Sequence, residues 1–96
     1  MKQEVNVLEK PFTHEELKDM TKDDDIYIEG VVRISLDDII SSDFEVFLDI
    51  ISDKLVGSEV GLLDISYKAV GVDNGDILIM AGGVLSDSLL SEIHEE

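Results

Sequence analysis

Residues 42–57, with the sequence SDFEVFLDIISDKLVG, predict the main helix of this chain. Its apolar residues recur every three or four positions, as they do along one side of an α-helix. These apolar residues are Phe44, Phe47, Leu48, Ile51 and Leu55. Ser42 followed by Glu45 is typical of a helix start, and Gly57 is typical of a helix end. The opposite side carries Glu45, Asp49, Ser52 and Asp53, so we expect an apolar side in the core and a polar, acidic side in solvent.

Asp37 and Asp38 favour an additional helix start just before them, because acids in a first turn complement the helix dipole. One continuous helix from there through the main helix would place Asp43 inside its apolar arc. A helix with a break avoids this defect. We therefore predict a break at residues 41–43, with the second helix starting at Ser42.

Three other segments alternate apolar and polar residues with the period of two that a half-buried β-strand has. They are residues 26–34, 63–70 and 77–81. The sequence DNGD at residues 73–76 predicts a tight hairpin turn, because Asn-Gly tolerates positive φ angles. Gly82 and Gly83 are expected to end or bend the third strand.

Short helices are predicted near both termini, one capped by Thr13 and the other by Ser86. Residues 1–10 are predicted to form an edge strand or a flexible arm. The order of elements predicts an α+β fold, a two-layer sandwich in which a helix at about residues 42–56 covers one face of the sheet. The sheet is expected to be mainly antiparallel, with three or four strands. Ninety-six residues suit a single domain, residues 1–96.

The chain has 23 acidic and 7 basic residues, which gives a formal net charge of −16. Residues 35–96 hold 14 of the acids and only two bases, Lys54 and Lys68. Such a field repels nucleic acid and anionic membranes and attracts basic partners. With no cysteine, no secretory pattern and no apolar run near 20 residues, the chain is expected to be cytoplasmic.

No sequence motif indicates catalysis or a cofactor. The HEEL sequence at residues 14–17 lacks the second histidine of a zinc-protease helix, since Lys18 stands in its place. The three aspartates at residues 23–25 lack the spacing of a calcium loop. Nucleophilic catalysis has no cysteine and no serine in a G-x-S-x-G setting. We therefore expect a protein that is not an enzyme, without a cofactor or a dedicated metal site.

The functional hypothesis depends on the acids of the two central helices. The residues predicted to contact a partner are Asp37, Asp38, Glu45, Asp49 and Asp53. Together with Asp43 they give roughly one negative charge per 4 Å of helix, comparable with about one per 3.4 Å along a DNA strand. In size and charge the chain resembles the small phage- or plasmid-encoded inhibitors that imitate nucleic acid. This predicts a protein-binding module that occupies the nucleic-acid site of a basic protein.

An alternative hypothesis concerns the side of the sheet that faces away from the main helix. If Ile28, Ile65 and Ile79 face the helix, other apolar residues face away. They are Val31, Val70, Leu78 and Met80. Exposed together, they would form an interface for a homodimer, unless the terminal segments cover them. The chain would then be a small structural or assembly protein whose acidity only serves solubility.

Overall fold

The computed structural model describes residues 7–22 and 26–94. Within them, the elements in chain order are α1 (His14–Met20), β1 (Tyr27–Ser35), α2 (Leu36–Ser41), α3 (Phe44–Val56), β2 (Leu62–Asp73), β3 (Asp76–Leu85) and α4 (Asp87–Ile93). The strands form one sheet in the order β1-β3-β2, and β3 is antiparallel to both neighbours. The two outer strands are therefore parallel to each other, and α2 and α3 form the crossover between them. This confirms the predicted α+β class and the antiparallel pairing.

All four helices pack against the same face of the sheet. The main helix α3 contributes Ile51 and Leu55 to a single apolar core. The two terminal helices contribute to the same core through Leu17, Leu89 and Ile93. The molecule measures 41 × 36 × 19 Å, and its shortest dimension fits one layer of helices on one sheet. The predicted two-layer arrangement is confirmed. We call the sheet face that has no helix on it the outward face.

The register of the sheet assigns each residue to one of the two faces. Val32 lies opposite Ile79, and both are buried beneath the helices. The next pair along, Val31 opposite Met80, points to the outward face. Successive residues of a strand point to opposite sides, so this register fixes the composition of both faces.

Local capping residues set the ends of the helices. Thr13 and Glu16 form the predicted capping box at the start of α1. The predicted break between α2 and α3 is present, but α3 is capped by Asp43, whose side chain accepts a hydrogen bond from the Val46 N–H at 2.9 Å. Asp43 thus precedes the helix, and its charge does not enter the apolar side. Gly57, with φ of 75°, ends α3 as predicted.

The apolar side of α3 differs from the prediction at its first residue. Phe44 was expected in the core, but its side chain is 61% exposed and its ring lies near Tyr67 of β2. Phe47 and Leu48 are half-buried, whereas Ile51 and Leu55 are fully buried. The helix therefore packs closely only over its second half.

Strand β2 contains two bulges that the alternating pattern did not predict. One shift in register falls between Leu63 and Ser66, where Asp64 has a positive φ of 53°. Leu63 consequently points to the outward face, opposite to Ile65, and is 52% exposed. A second shift, between Ala69 and Gly71, removes Val70 from the regular pairing. A strict period of two is therefore wrong for this strand.

Strand β3 runs through Gly82 and Gly83 to Leu85, so these glycines do not end it, and the alternative that they bend it stays a prediction. A Cβ atom on Gly83 would lie 2.8 Å from the carbonyl oxygen of Leu63, and one on Gly82 would collide with the Tyr27 hydroxyl. The two glycines allow neighbouring atoms to approach this strand closely.

The segment before α1 lies along β1 at one point. Val7 forms a parallel bridge with Val31, and the Leu8 N–H donates a hydrogen bond to the Val31 carbonyl oxygen at 2.8 Å. A single bridge does not make this segment a strand, so the edge strand or flexible arm predicted for residues 1–10 stays a prediction. Residues 1–6 of that prediction lie outside the described part of the chain.

Candidate partner-binding surfaces

The acidic side of α3 faces solvent, as predicted. Glu45, Asp49 and Asp53 follow one another at intervals of four residues, so they form a stripe about 12 Å long. Within the described residues, none of the ion pairs involves any of these three carboxylates. Their charges are therefore free to interact with a partner.

Two of these acids line a groove between α3 and the start of β2. The groove has a volume of about 320 Å³, and Glu45 and Asp49 share its rim with Glu59 and Asp64. Its remaining lining is apolar and consists of Leu48, Leu62, Leu63 and Ile65. Four carboxylates beside an apolar floor suit a side chain with an apolar stem and a cationic head, such as lysine or arginine. We call this the acidic groove.

Glu59 and Asp64 were not among the predicted partner-binding residues. An unbroken alternation would have placed Asp64 on the outward face with Ser66 and Lys68. The bulge at Asp64 changes this, and aspartate adopts a positive φ more readily than most residues do. No pattern in the sequence marks this bulge. The sequence predicts the helix end at Gly57, two residues before Glu59. It does not predict that Glu59 lies close to α3.

The other predicted acids do not join the acidic groove. Asp53 lines a separate groove of about 280 Å³ whose lining also includes Lys10, Arg33 and Lys54, so bases partly offset the charge there. Asp37 and Asp38 are exposed in the first turn of α2 and do not line the acidic groove. Of the five predicted residues, Glu45 and Asp49 share the acidic groove, and Asp53 continues their stripe on α3.

Ser52 was predicted on the solvent side of α3, and this is wrong. Its side chain is fully buried, and its hydroxyl donates a hydrogen bond to the Ser58 carbonyl oxygen at 2.6 Å. The same hydroxyl oxygen accepts a hydrogen bond from the Leu62 N–H at 3.1 Å. Ser52 therefore fixes the loop between α3 and β2, which is the loop that carries Glu59.

The outward face of the sheet is the second candidate surface. Met80 lies near its centre and is 42% exposed, and Leu78 next to it is half-buried. Val70 is exposed but stands in a bulge. Val31 is only 8% exposed, and the segment at Val7 bridges to it, so it does not contribute to an exposed surface. Of the four predicted residues, Met80 and Leu78 remain central to an exposed surface.

An ion-pair cluster around Arg33 lies at one end of the outward face. Arg33 donates a hydrogen bond to Asp73 at 2.7 Å and lies 3.7 Å from Asp76. This hydrogen bond raises the pKa of the Arg33 guanidinium above its ordinary value, and the negative charges of Asp73, Asp76 and Glu9 act in the same direction, against the opposing effect of desolvation. The guanidinium is therefore a permanent positive charge at this end of the face.

Within residues 7–22 and 26–94, no three histidine or acidic side chains are grouped so that they could hold a metal ion. None of the helices in this part of the chain has the length and apolar content that a bilayer crossing requires. Comparison of the chain with protein-family models, with curated proteins and with solved structures gives no match, so no relative supplies a function or a partner for it.

Proposed function

We propose that this chain is a non-enzymatic acidic module that binds a basic protein through α3 and the acidic groove. The supporting observation is that the four exposed carboxylates of the groove have no basic partner among the described residues. Placed together they repel one another. A lysine or arginine from a partner replaces this repulsion with attraction, and the field of the whole chain increases the rate of encounter.

In its specific form, the module is a nucleic-acid-mimicking inhibitor of phage or plasmid type, which competes with DNA or RNA for a basic protein. The stripe on α3 presents one charge per about 6 Å, which is sparser than the roughly 3.4 Å of a DNA strand. Glu59 and Asp64 add two charges beside the stripe. Competition with nucleic acid is therefore the property that separates a mimic from a module that only binds basic chains.

A matched pair of charge reversals tests this proposal. Glu45→Lys with Asp49→Lys removes two acids of the groove, and Glu15→Lys with Asp19→Lys makes the same change of net charge at the same spacing on α1. The partner recovered by affinity capture at low salt is titrated with each variant, with and without nucleic acid. We expect the groove variant to lose at least about tenfold in affinity, as the loss of a close charge pair predicts.

The α1 variant should change the affinity by about twofold or less, because it alters only the long-range field. Equal losses in both variants would mean that net charge alone drives binding. Unchanged binding in the groove variant would exclude the acidic groove as the contact surface.

We propose self-association through the outward face as a second function. The observation that favours it is that no helix of the described chain covers this face, although Met80 and Tyr27 expose apolar surface on it. Lys68 on β2 and Glu29 on β1 flank β3, opposite Met80 and Gly82 respectively. If the outward faces of two copies meet and a two-fold axis parallel to β3 relates them, β1 of each copy lies over β2 of the other. Glu29 of each copy then approaches Lys68 of the other copy.

The size of the face limits the strength of such a dimer. Three strands of about ten residues cover about 500 Å² per copy. The total of about 1,000 Å² lies at the lower limit for a specific interface, so we expect weak association. Two copies of net charge −16 also repel each other. Salt should therefore strengthen the dimer, whereas salt weakens the binding of a basic partner.

Sedimentation velocity at low and high salt measures this association. Met80→Asp places a charge in the centre of the face and is expected to give monomers under all conditions. Ile40→Asp is the control, because Ile40 is 73% exposed on α2 in the helix layer. A wild-type chain that stays monomeric at high concentration and high salt would exclude the dimer.

A further inference from the structure

An aromatic cleft lies where α2 and α3 meet β2. Three of the chain's five aromatic residues come together there, Phe44, Phe47 and Tyr67. The ring centroids of Phe44 and Tyr67 are 6.4 Å apart with the planes tilted by 52°, and Phe47 meets Tyr67 edge-on at 5.0 Å. The cleft has a volume of about 310 Å³, and Asp43 also lines it.

The exposure of Phe44 is unusual for a residue at the start of an amphipathic stripe. Burying a phenylalanine stabilises a fold relative to leaving it in water. The fold does not gain this energy in full, because the ring lies on the surface over Tyr67. A contiguous apolar patch beside charged residues is typical of binding surfaces, and Phe44 forms such a patch with Phe47 and Tyr67.

Asp43 gives the cleft a negative charge. One oxygen of its carboxylate, Oδ1, accepts the hydrogen bond from the Val46 N–H that caps α3. The other oxygen has no hydrogen-bond partner within the described residues, and the side chain is exposed to solvent. The N-terminal dipole of α3 corresponds to about half a positive charge, so the carboxylate outweighs it. The cleft therefore combines aromatic ring surfaces with an available carboxylate oxygen.

We infer that this cleft binds an arginine side chain of the basic partner. A planar guanidinium can stack on an aromatic ring while it donates hydrogen bonds to a carboxylate. A lysine ammonium is a compact, strongly hydrated charge and cannot do both with the same geometry. This inference rests on the proposed function. The acidic groove attracts the basic chain, and the cleft selects arginine at one position of it.

Two synthetic peptides of equal charge provide the test. One is a nine-residue peptide of alternating lysine and serine, and the other has arginine in place of its central lysine. Each is titrated into the full chain by calorimetry at low salt. We expect the arginine peptide to bind about three- to fivefold more tightly, the gain expected for a cation–π contact at an exposed site. NMR signals of the Tyr67 ring should shift more with the arginine peptide.

The variants Phe44→Ala and Asp43→Asn should each remove the preference for arginine. Asparagine is as good a helix cap as aspartate, so Asp43→Asn removes the charge and keeps the start of α3. Val46→Ala is the control on the same helix, because Val46 is exposed and does not line the cleft. It should leave the preference for arginine unchanged.

The results distinguish a failure of the arginine cleft from a failure of the acidic module. If both peptides bind equally and Glu45→Lys with Asp49→Lys weakens both, the arginine cleft is wrong and the acidic module stands. If neither peptide binds at low salt, the acidic module fails and the cleft fails with it. A preference for arginine that persists in Phe44→Ala would exclude this cleft as its cause.

Discussion

The two broad faces of this molecule are the helix layer and the outward face of the sheet. They differ in the pairing of their charged residues and in the apolar surface that they expose. On the helix layer, Glu45 and Asp49 lie beside Glu59 and Asp64 with no base paired to them among the described residues. On the outward face of the sheet, the acids have bases nearby, as Asp73 has in Arg33, and the centre is apolar. The first face is suited to a partner of opposite charge, and the second to a second apolar face.

Four carboxylates, from α3, the loop after it and β2, share the acidic groove, while the other acids of the described chain lie elsewhere on the surface. We expect the like charges in the acidic groove to repel one another and to lower the stability of the folded state, whereas Asp73 on the outward face is paired with Arg33. This contrast leads to tests in which neighbouring or similar residues should behave differently.

The largest contrast is expected between Ile79 and Met80, which are adjacent in β3 and point to opposite faces. Ile79→Ala should lower the free energy of unfolding by about 2–5 kcal/mol, because it leaves a cavity in the core. Met80→Ala should lower it by less than about 1 kcal/mol, because its side chain is 42% exposed. Urea unfolding of both variants measures this. Similar losses would show that the outward face is packed and not open.

The next contrast concerns the polar side of α3, where Ser52 supports the loop and does not face solvent. Ser52→Ala should cost about 1–3 kcal/mol, since it leaves the buried Leu62 N–H without its acceptor and leaves the Ser58 carbonyl oxygen with only the Gly61 N–H as donor. Ser91→Ala on α4, where the serine is exposed, should change stability by less than about 0.5 kcal/mol. Equal thermal stability of the two variants would mean that water replaces the Ser52 hydroxyl.

The smallest expected effects concern two exposed aspartates whose substitutions should change the stability of the fold in opposite directions. Asp49→Asn removes repulsion from acids four residues away on either side, and should stabilise the fold by about 0.5 kcal/mol at low salt. Asp87→Asn should destabilise it by about 0.5 kcal/mol, because Asp87 complements the dipole in the first turn of α4. Thermal unfolding at low and high salt measures both. A loss of stability in Asp49→Asn would show that the groove is not repulsive.

Much of the fold could be predicted because its signals are local. Thr13, Ser86 and Gly57 mark helix ends through bonds and φ angles within a few residues. The alternation in β1 and β3 likewise predicts strands. The register shift at Asp64 has no such local signal, because it depends on how β2 meets β3.

The candidate site could be predicted only in part for the same reason. The stripe of Glu45, Asp49 and Asp53 follows from helical periodicity alone. That Asp53 lies beside Lys10 and Arg33, and that Phe44 lies over Tyr67, depends on elements distant in the chain. Periodicity along one helix gives the side on which a residue lies, but not what lies opposite.

The sequence by itself determined the excess of negative charge, its concentration after residue 35, and the identity of most helices and strands, since each depends on composition or on a local period. The tertiary structure alone decided which carboxylates share the acidic groove, that Ser52 is buried, and that both terminal helices pack on the side of α3. The reason is physical: a groove or a core is formed by residues from separate elements, and their meeting depends on packing between those elements.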